Sequence, residues 1–89
     1  MKRVPIEDSF DLHSFRPEDV LPALEDYLAE ATRRGFSEVR IIHGKGKGVR
    51  RAEVRRALAG RSDVREAYDA PPGHGAFGAT VVVLVRDRD

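Results

Sequence analysis

The chain has 89 residues, 40% of them apolar and 35% charged, with no cysteine and no tryptophan. A domain of this size buries only about 60–65% of the surface that its unfolded chain exposes, so one compact core is expected, a single domain over residues 1–89 ordered from about 8 to 87. The lack of cysteine excludes a disulfide framework and any thiolate zinc site. No apolar run approaches the ~20 residues of a membrane span, and no charged-then-apolar leader opens the chain, which points to a cytoplasmic domain without a membrane partner.

In chain order, Ser9-Phe10-Asp11-Leu12-His13 alternates apolar and polar residues. It predicts a short strand with Phe10 and Leu12 on one face and Asp11 and His13 on the other. Pro17-Glu18-Asp19 opens a helix, with proline pre-set for the first turn and two acids at the positive end of the dipole. Leu21, Leu24, Leu28 and Ala31 follow at helical spacing, and Gly35 is placed to end the helix. Pro22 conflicts with this pattern, since it removes a donor. Either the first turn is distorted or the regular helix begins near Pro22.

Glu38-Val39-Arg40-Ile41-Ile42 reads as a second strand, and the glycine-rich loop His43-Gly44-Lys45-Gly46-Lys47-Gly48 follows it. A second helix is expected from Val49 to Ala59, with Val54, Ala57 and Leu58 inward, Arg51, Arg55 and Arg56 outward, and Gly60 at its end. Val64–Ala70 is a third strand. Pro71-Pro72-Gly73-His74-Gly75 must turn. Thr80–Val85 is almost wholly apolar and so belongs in the middle of a sheet. The order is βαβαββ. Two right-handed β-α-β crossovers place both helices on one face, giving a two-layer α/β sandwich.

The net charge of +1 conceals an uneven distribution. Residues 1–32 hold three basic and eight acidic side chains, residues 33–65 eleven and three, and residues 66–89 two and four. A central block of net +8 between segments of −5 and −2 is a footprint suited to a polyanion such as nucleic acid, although surface arginines also serve solubility.

If the first three strands run parallel, His13, the 43–48 loop and the 71–78 turn share one sheet edge, where open α/β sheets bind ligands. All three histidines, His13, His43 and His74, fall at or beside these loops. A carboxylate beside an imidazole, as in Asp11 and His13, can orient it, raise its basicity, or share a metal or a water with it; alone, such a pair reads first as a strand-end Asp bonding the next loop and an exposed histidine. Gly44, Gly46 and Gly48 let backbone amides approach an oxyanion, Lys45 and Lys47 add charge, and a helix N-terminus follows. It is not a Walker loop, since the four-residue spacer and the Ser/Thr after lysine are missing. Arg50 and Arg51 in the first helical turn oppose the dipole, a mild cost unless an anion lies nearby. Phe77 is either a core anchor or a stacking platform. The spacing of the histidines is not diagnostic of a metal site.

Asp11-Leu12-His13, then His43-Gly44-Lys45-Gly46, then Ala70-Pro71 leading into Gly75-Ala76-Phe77-Gly78-Ala79-Thr80 together resemble the motifs of the small MutS-related (Smr) domain family. The resemblance runs from about Phe10 to Val85. It implies the sandwich of the C-terminal domain of bacterial initiation factor three, a four-stranded mixed sheet with the last strand antiparallel inside it. It also implies endonuclease activity on DNA or RNA, alone or within a larger repair or ribosome-associated protein. The chain departs from the family pattern at Ser14, where glycine is usual, and at Ala76, where a second glycine is usual.

On the resemblance, Asp11, His13 and His43 are the catalytic candidates, while the glycine loop with Lys45, Lys47, Arg50, Arg51, Arg55 and His74 would hold the nucleic acid. An RNA substrate supplies its own 2′-hydroxyl nucleophile. A DNA substrate needs water, whose activation usually calls for a cation such as Mg²⁺ or Mn²⁺. The rival expectations are a non-catalytic nucleic-acid binding module and a protein-interaction domain that pairs the acidic first helix with the basic second.

Overall fold

The structure is a computed structural model that describes residues 8–44, 48–73 and 78–85. Lys45, Gly46, Lys47, His74 and Phe77 lie outside the described residues. The elements are β1 (Ser9–Asp11), α1 (Pro17–Arg33), β2 (Glu38–Ile42), α2 (Val49–Ala59), β3 (Val64–Asp69) and β4 (Ala79–Leu84). They form one four-stranded sheet in the order β1-β2-β4-β3. β1 and β2 are parallel, and β4 runs antiparallel to both of its neighbours. The carboxyl ends of β1, β2 and β3 therefore meet the amino end of β4 along one edge, as the parallel arrangement of the first three strands requires.

α1 runs unbroken from Pro17 despite the proline at position 22. Pro22 sits in the second turn of the helix, and both it and Glu18, whose carbonyl loses its partner, are exposed residues. The helix ends in a Schellman motif. Gly35 takes φ +82°, its amide donates to the Thr32 carbonyl at 3.0 Å, and the Phe36 amide donates to Ala31 at 3.0 Å.

Both helices cover the same face of the sheet. Val20, Leu24, Leu28 and Ala31 of α1 and Val54 and Leu58 of α2 join Val39 and Ile41 of β2 and Val82 and Leu84 of β4 in one core. On the opposite face, Ala70, Ala79 and Val81 form a second apolar cluster with Ile42 packed against it. β4 is buried on both sides because it is internal to the sheet, as its apolar run predicts.

β1 ends at Asp11 rather than His13. Leu12 still donates to the Ile42 carbonyl at 2.7 Å, and then Phe15 donates back to Leu12 at 3.0 Å, closing a turn. Apolar packing fixes this turn. Leu12 is fully buried, while Phe15 lies against Phe10, whose ring stacks on Tyr27 of α1 with centroids 4.5 Å apart. Between these two anchors, His13 and Ser14 are left exposed.

Candidate active site

The turn after β1 gives Asp11 two bonds to the same neighbour. Its Oδ1 accepts from the His13 backbone amide at 3.0 Å and stands 2.5 Å from His13 Nδ1. These bonds, the backbone one foremost, hold the Asp11 carboxyl below its ordinary value of 3.8. An ionised carboxylate only accepts, so Nδ1 carries the proton and Nε2 is left with its lone pair outward. The His13 side chain is 65% exposed, so this nitrogen is open to a substrate.

His43 follows β2 and is placed differently. It is buried, and the other buried polar residue among the described residues is Thr80. The two are bonded, His43 Nε2 to Thr80 Oγ1 at 2.9 Å, while Nδ1 lies 3.1 Å from the Gly44 carbonyl. Nδ1–H therefore donates to Gly44, and the threonine hydroxyl donates to Nε2. Both ring nitrogens of a neutral imidazole are thus satisfied. Burial is the main cause that pushes the His43 pKa below 6.5, and the nearby Arg51 and Arg55 push the same way.

A base with a depressed folded pKa contributes stability that is complete above its unfolded pKa and is lost as pH falls below it. Denaturation midpoints should therefore decline as pH drops below 6.5, by up to about 1.4 kcal/mol per pH unit for one proton. The His43→Gln variant should lack that component. Asp11, Asp63 and Asp69 are depressed from 3.8 and act only in a lower window, and the difference between native and His43→Gln urea melts reads the His43 component.

α2 supplies the positive side of the edge, but not with its arginines free. The expectation that Arg51 and Arg55 point outward is corrected. Both are drawn in by Asp69 at the end of β3. Arg51 grips that carboxylate through three hydrogen bonds of 2.7–3.0 Å, and Arg55 reaches it at 3.2 Å and donates to the Ala67 carbonyl. Arg50 pairs with Glu53 at 2.7 Å. The anion that offsets basic residues in a first helical turn is thus partly the protein's own. Two guanidiniums against one carboxylate still leave positive charge there. Gly48 begins the helix at φ +84°, and the first-turn amides have no intrahelical acceptor.

The Gly44 amide does not face outward for an oxyanion. It and the His43 amide both donate to the Gly78 carbonyl, at 2.9 and 3.0 Å, which ties the end of β2 to the start of β4. The structure brings together Asp11, His13 and Gly44, next to His43, with Gly48 and Arg51 at the start of α2 and Arg55 one turn further along it. Asp69 and Thr80 were not singled out from the sequence. The available signals were the one hydroxyl in an otherwise apolar strand and an acid ending β3 opposite arginines four residues apart on a helix.

The Smr domain family matches residues 10–85. The chain belongs to the Smr domain family. Among its relatives, Endonuclease MutS2 of Thermus thermophilus is 40% identical over 74 residues, covering 83% of this chain and 10% of that protein. Endonuclease MutS2 of Fusobacterium nucleatum is 36% identical over 83 residues, or 93% of this chain and 11% of that protein. The chain thus spans about a tenth of the length of these relatives. The crystal structure of the Smr domain of Thermus thermophilus MutS2 superposes with a TM-score of 0.84 at 38% identity, covering 89% of this chain and 99% of that one. YdaL, a stand-alone small MutS-related protein from Escherichia coli, gives 0.85 at 31%, covering 92% and 67%. The mixed-sheet sandwich expected from the motifs is the observed Smr fold. No helix among the described residues is long and apolar enough to cross a membrane.

In this Smr domain the glycine after the motif histidine has a definite task. Gly44 adopts φ +84°, and a Cβ there would meet His13 Cβ at 3.8 Å, an ordinary contact. Space therefore permits alanine, but the backbone resists it. Gly44→Ala should cost about 1–2 kcal/mol in urea denaturation from the left-handed conformation alone. A loss near zero would show that the loop relaxes to another conformation.

Proposed function

We propose that this Smr domain is an endonuclease that nicks or cleaves nucleic acid, with His13 as its general acid–base group. The observation that carries the reading is the Asp11–His13 pair, in which an ionised carboxylate fixes the imidazole tautomer and leaves Nε2 exposed beside the Gly44 turn. His13 Nε2 takes a proton from the attacking oxygen, either a neighbouring 2′-hydroxyl of RNA or a water molecule. That oxygen bonds to phosphorus, the bond to the leaving oxygen breaks, and the leaving oxygen takes a proton either from the protonated His13 ring or from solvent water, in which case the ring returns its proton to solvent. Charge growing on the non-bridging oxygens is stabilised by the first-turn amides of α2 and by Lys45 and Lys47, with Gly46 and Gly48 allowing close approach.

His43 belongs to this machinery as a positioning group. Its ring holds the Gly44 carbonyl and Thr80, and so the loop that faces His13. Arg50, Arg51, Arg55 and His74 extend the surface for the nucleic-acid backbone. Among the described residues no cluster of three or more His, Asp or Glu side chains gathers to hold a metal ion, and each step above is carried by the chain's own groups.

A non-catalytic binding module is the second reading. It is favoured by the engagement of both His43 nitrogens, which leaves Asp11–His13 as a lone acid–base pair at the described edge. The two separate in a cleavage assay on supercoiled plasmid and a labelled structured RNA, with Mg²⁺, with Mn²⁺ and with EDTA. Scission that depends on His13 is expected, and the EDTA lanes report metal dependence. Intact substrates in every lane, with a salt-sensitive gel shift, would establish the binding module instead.

A further inference from the structure

The helix-free face of the sheet carries a feature that the catalytic edge does not use. Strand register places Ser9, Arg40, Val81 and Tyr68 side by side in one row across all four strands. This row is part of the lining of an open groove of about 420 Å³, with Pro71 and Glu38 among its other walls. Tyr68 is 42% exposed, one of three large apolar side chains so exposed among the described residues. The other aromatic rings described in contacts, Phe10, Phe15 and Tyr27, pack on the core side.

The groove is continuous with the proposed catalytic edge. Ser9 lies two residues before Asp11, on the same face and about 7 Å along the strand. The row that holds Asp11 continues across the sheet as Ile42, Ala79 and Ala70, a low apolar floor beside the groove. Tyr68 stands three strands away from Ser9, about 14 Å across the sheet, so a chain anchored at His13 must extend over this floor to reach it.

Charge decides which part of a nucleotide fits. Among the described residues the groove is lined by Asp8 and Glu38 against the single cation Arg40, so negative charge prevails; the two carboxylates repel phosphate but accept hydrogen bonds from amino and imino groups of a base. A flat sheet surface with an exposed aromatic ring stacks bases that are not already stacked and paired in a duplex. We propose that this groove is a subsite for an unpaired nucleobase, stacked on Tyr68, belonging to the same strand whose phosphate lies at His13. The subsite rests on the endonuclease reading and adds to it a preference for single-stranded substrate.

The test is fluorescence anisotropy with a labelled single-stranded oligonucleotide and with its fully paired duplex, using the native chain, Tyr68→Ala and Tyr68→Phe. Removing the ring should weaken single-strand binding about ten-fold, while phenylalanine keeps it and duplex binding does not change. Single-strand binding by Tyr68→Ala equal to the native chain overturns the subsite. Should Tyr68→Ala fail to fold, amide chemical shifts of the native chain decide. Shifts at Ser9, Val81 and Tyr68 on titration with the single strand support the subsite. Shifts confined to the start of α2 overturn it and leave the nuclease reading intact. No binding of either nucleic acid by the native chain overturns both.

Discussion

His13→Ala is expected to lower single-turnover cleavage by about 10²–10⁴-fold, the usual contribution of a positioned acid–base group. The side chain is exposed and bonded only to Asp11 among the described residues, so its removal leaves no buried group unsatisfied and should hardly alter the melt. Binding should also persist, because the amides and basic side chains at the start of α2 are untouched. Asp11→Asn should give a smaller loss in the same direction. Its side chain still accepts a hydrogen bond, but it no longer enforces the Nδ1–H tautomer. Parallel rate, gel-shift and melting measurements separate these effects. A His13→Ala rate equal to that of the native domain would remove His13 from the chemistry.

The largest effect on stability is expected at the centre of α1. Leu28 is fully buried, on the helix face that also carries Leu24 and Ala31 into the common core. Leu28→Ala should cost about 2–5 kcal/mol, from lost transfer free energy and the cavity left behind. A domain of this size has roughly 4–13 kcal/mol in total, so the variant gives up a large share of it. Each kcal/mol corresponds to about 4–8 °C in melting temperature. Arg56→Ala, on the exposed side of α2, is the matched control and should stay within about 0.5 kcal/mol. A small loss at Leu28 in urea melts would mean that α1 packs less firmly on the sheet than its burial implies.

What the sequence made legible was whatever depends on near neighbours or on a motif. The apolar run Val81–Leu84 marked β4 as internal, and Gly35 marked the end of α1, because strand alternation and helix termination are local rules. Pro22 looked like an obstacle because the pattern does not say which carbonyl loses its partner or whether that carbonyl faces water. Beyond the end of a strand, side-chain direction passes to tertiary packing. His13 and His43 are both histidines just past strand ends, yet Leu12 and Phe15 hold one outward while Thr80 draws the other in. The arginines of α2 went astray for the same reason. Their compensating anion, Asp69, is 18 residues from Arg51 in the chain, and its partnership exists only once β3 lies beside the helix.

The position of β4 also sets the order in which this site comes into being. Among the described residues β3 has β4 as its sole neighbour in the sheet, and β2 has β1 on one side and β4 on the other. A chain with only its first 70 or so residues made lacks β4, which leaves the third strand without its neighbour and His43 without Thr80. The carbonyl that receives the His43 and Gly44 amides belongs to Gly78, which such a chain also lacks. Assembly of the proposed catalytic edge and completion of the sheet are therefore coupled, and a chain that stops before β4 lacks the contacts that hold His43 and Gly44 in place.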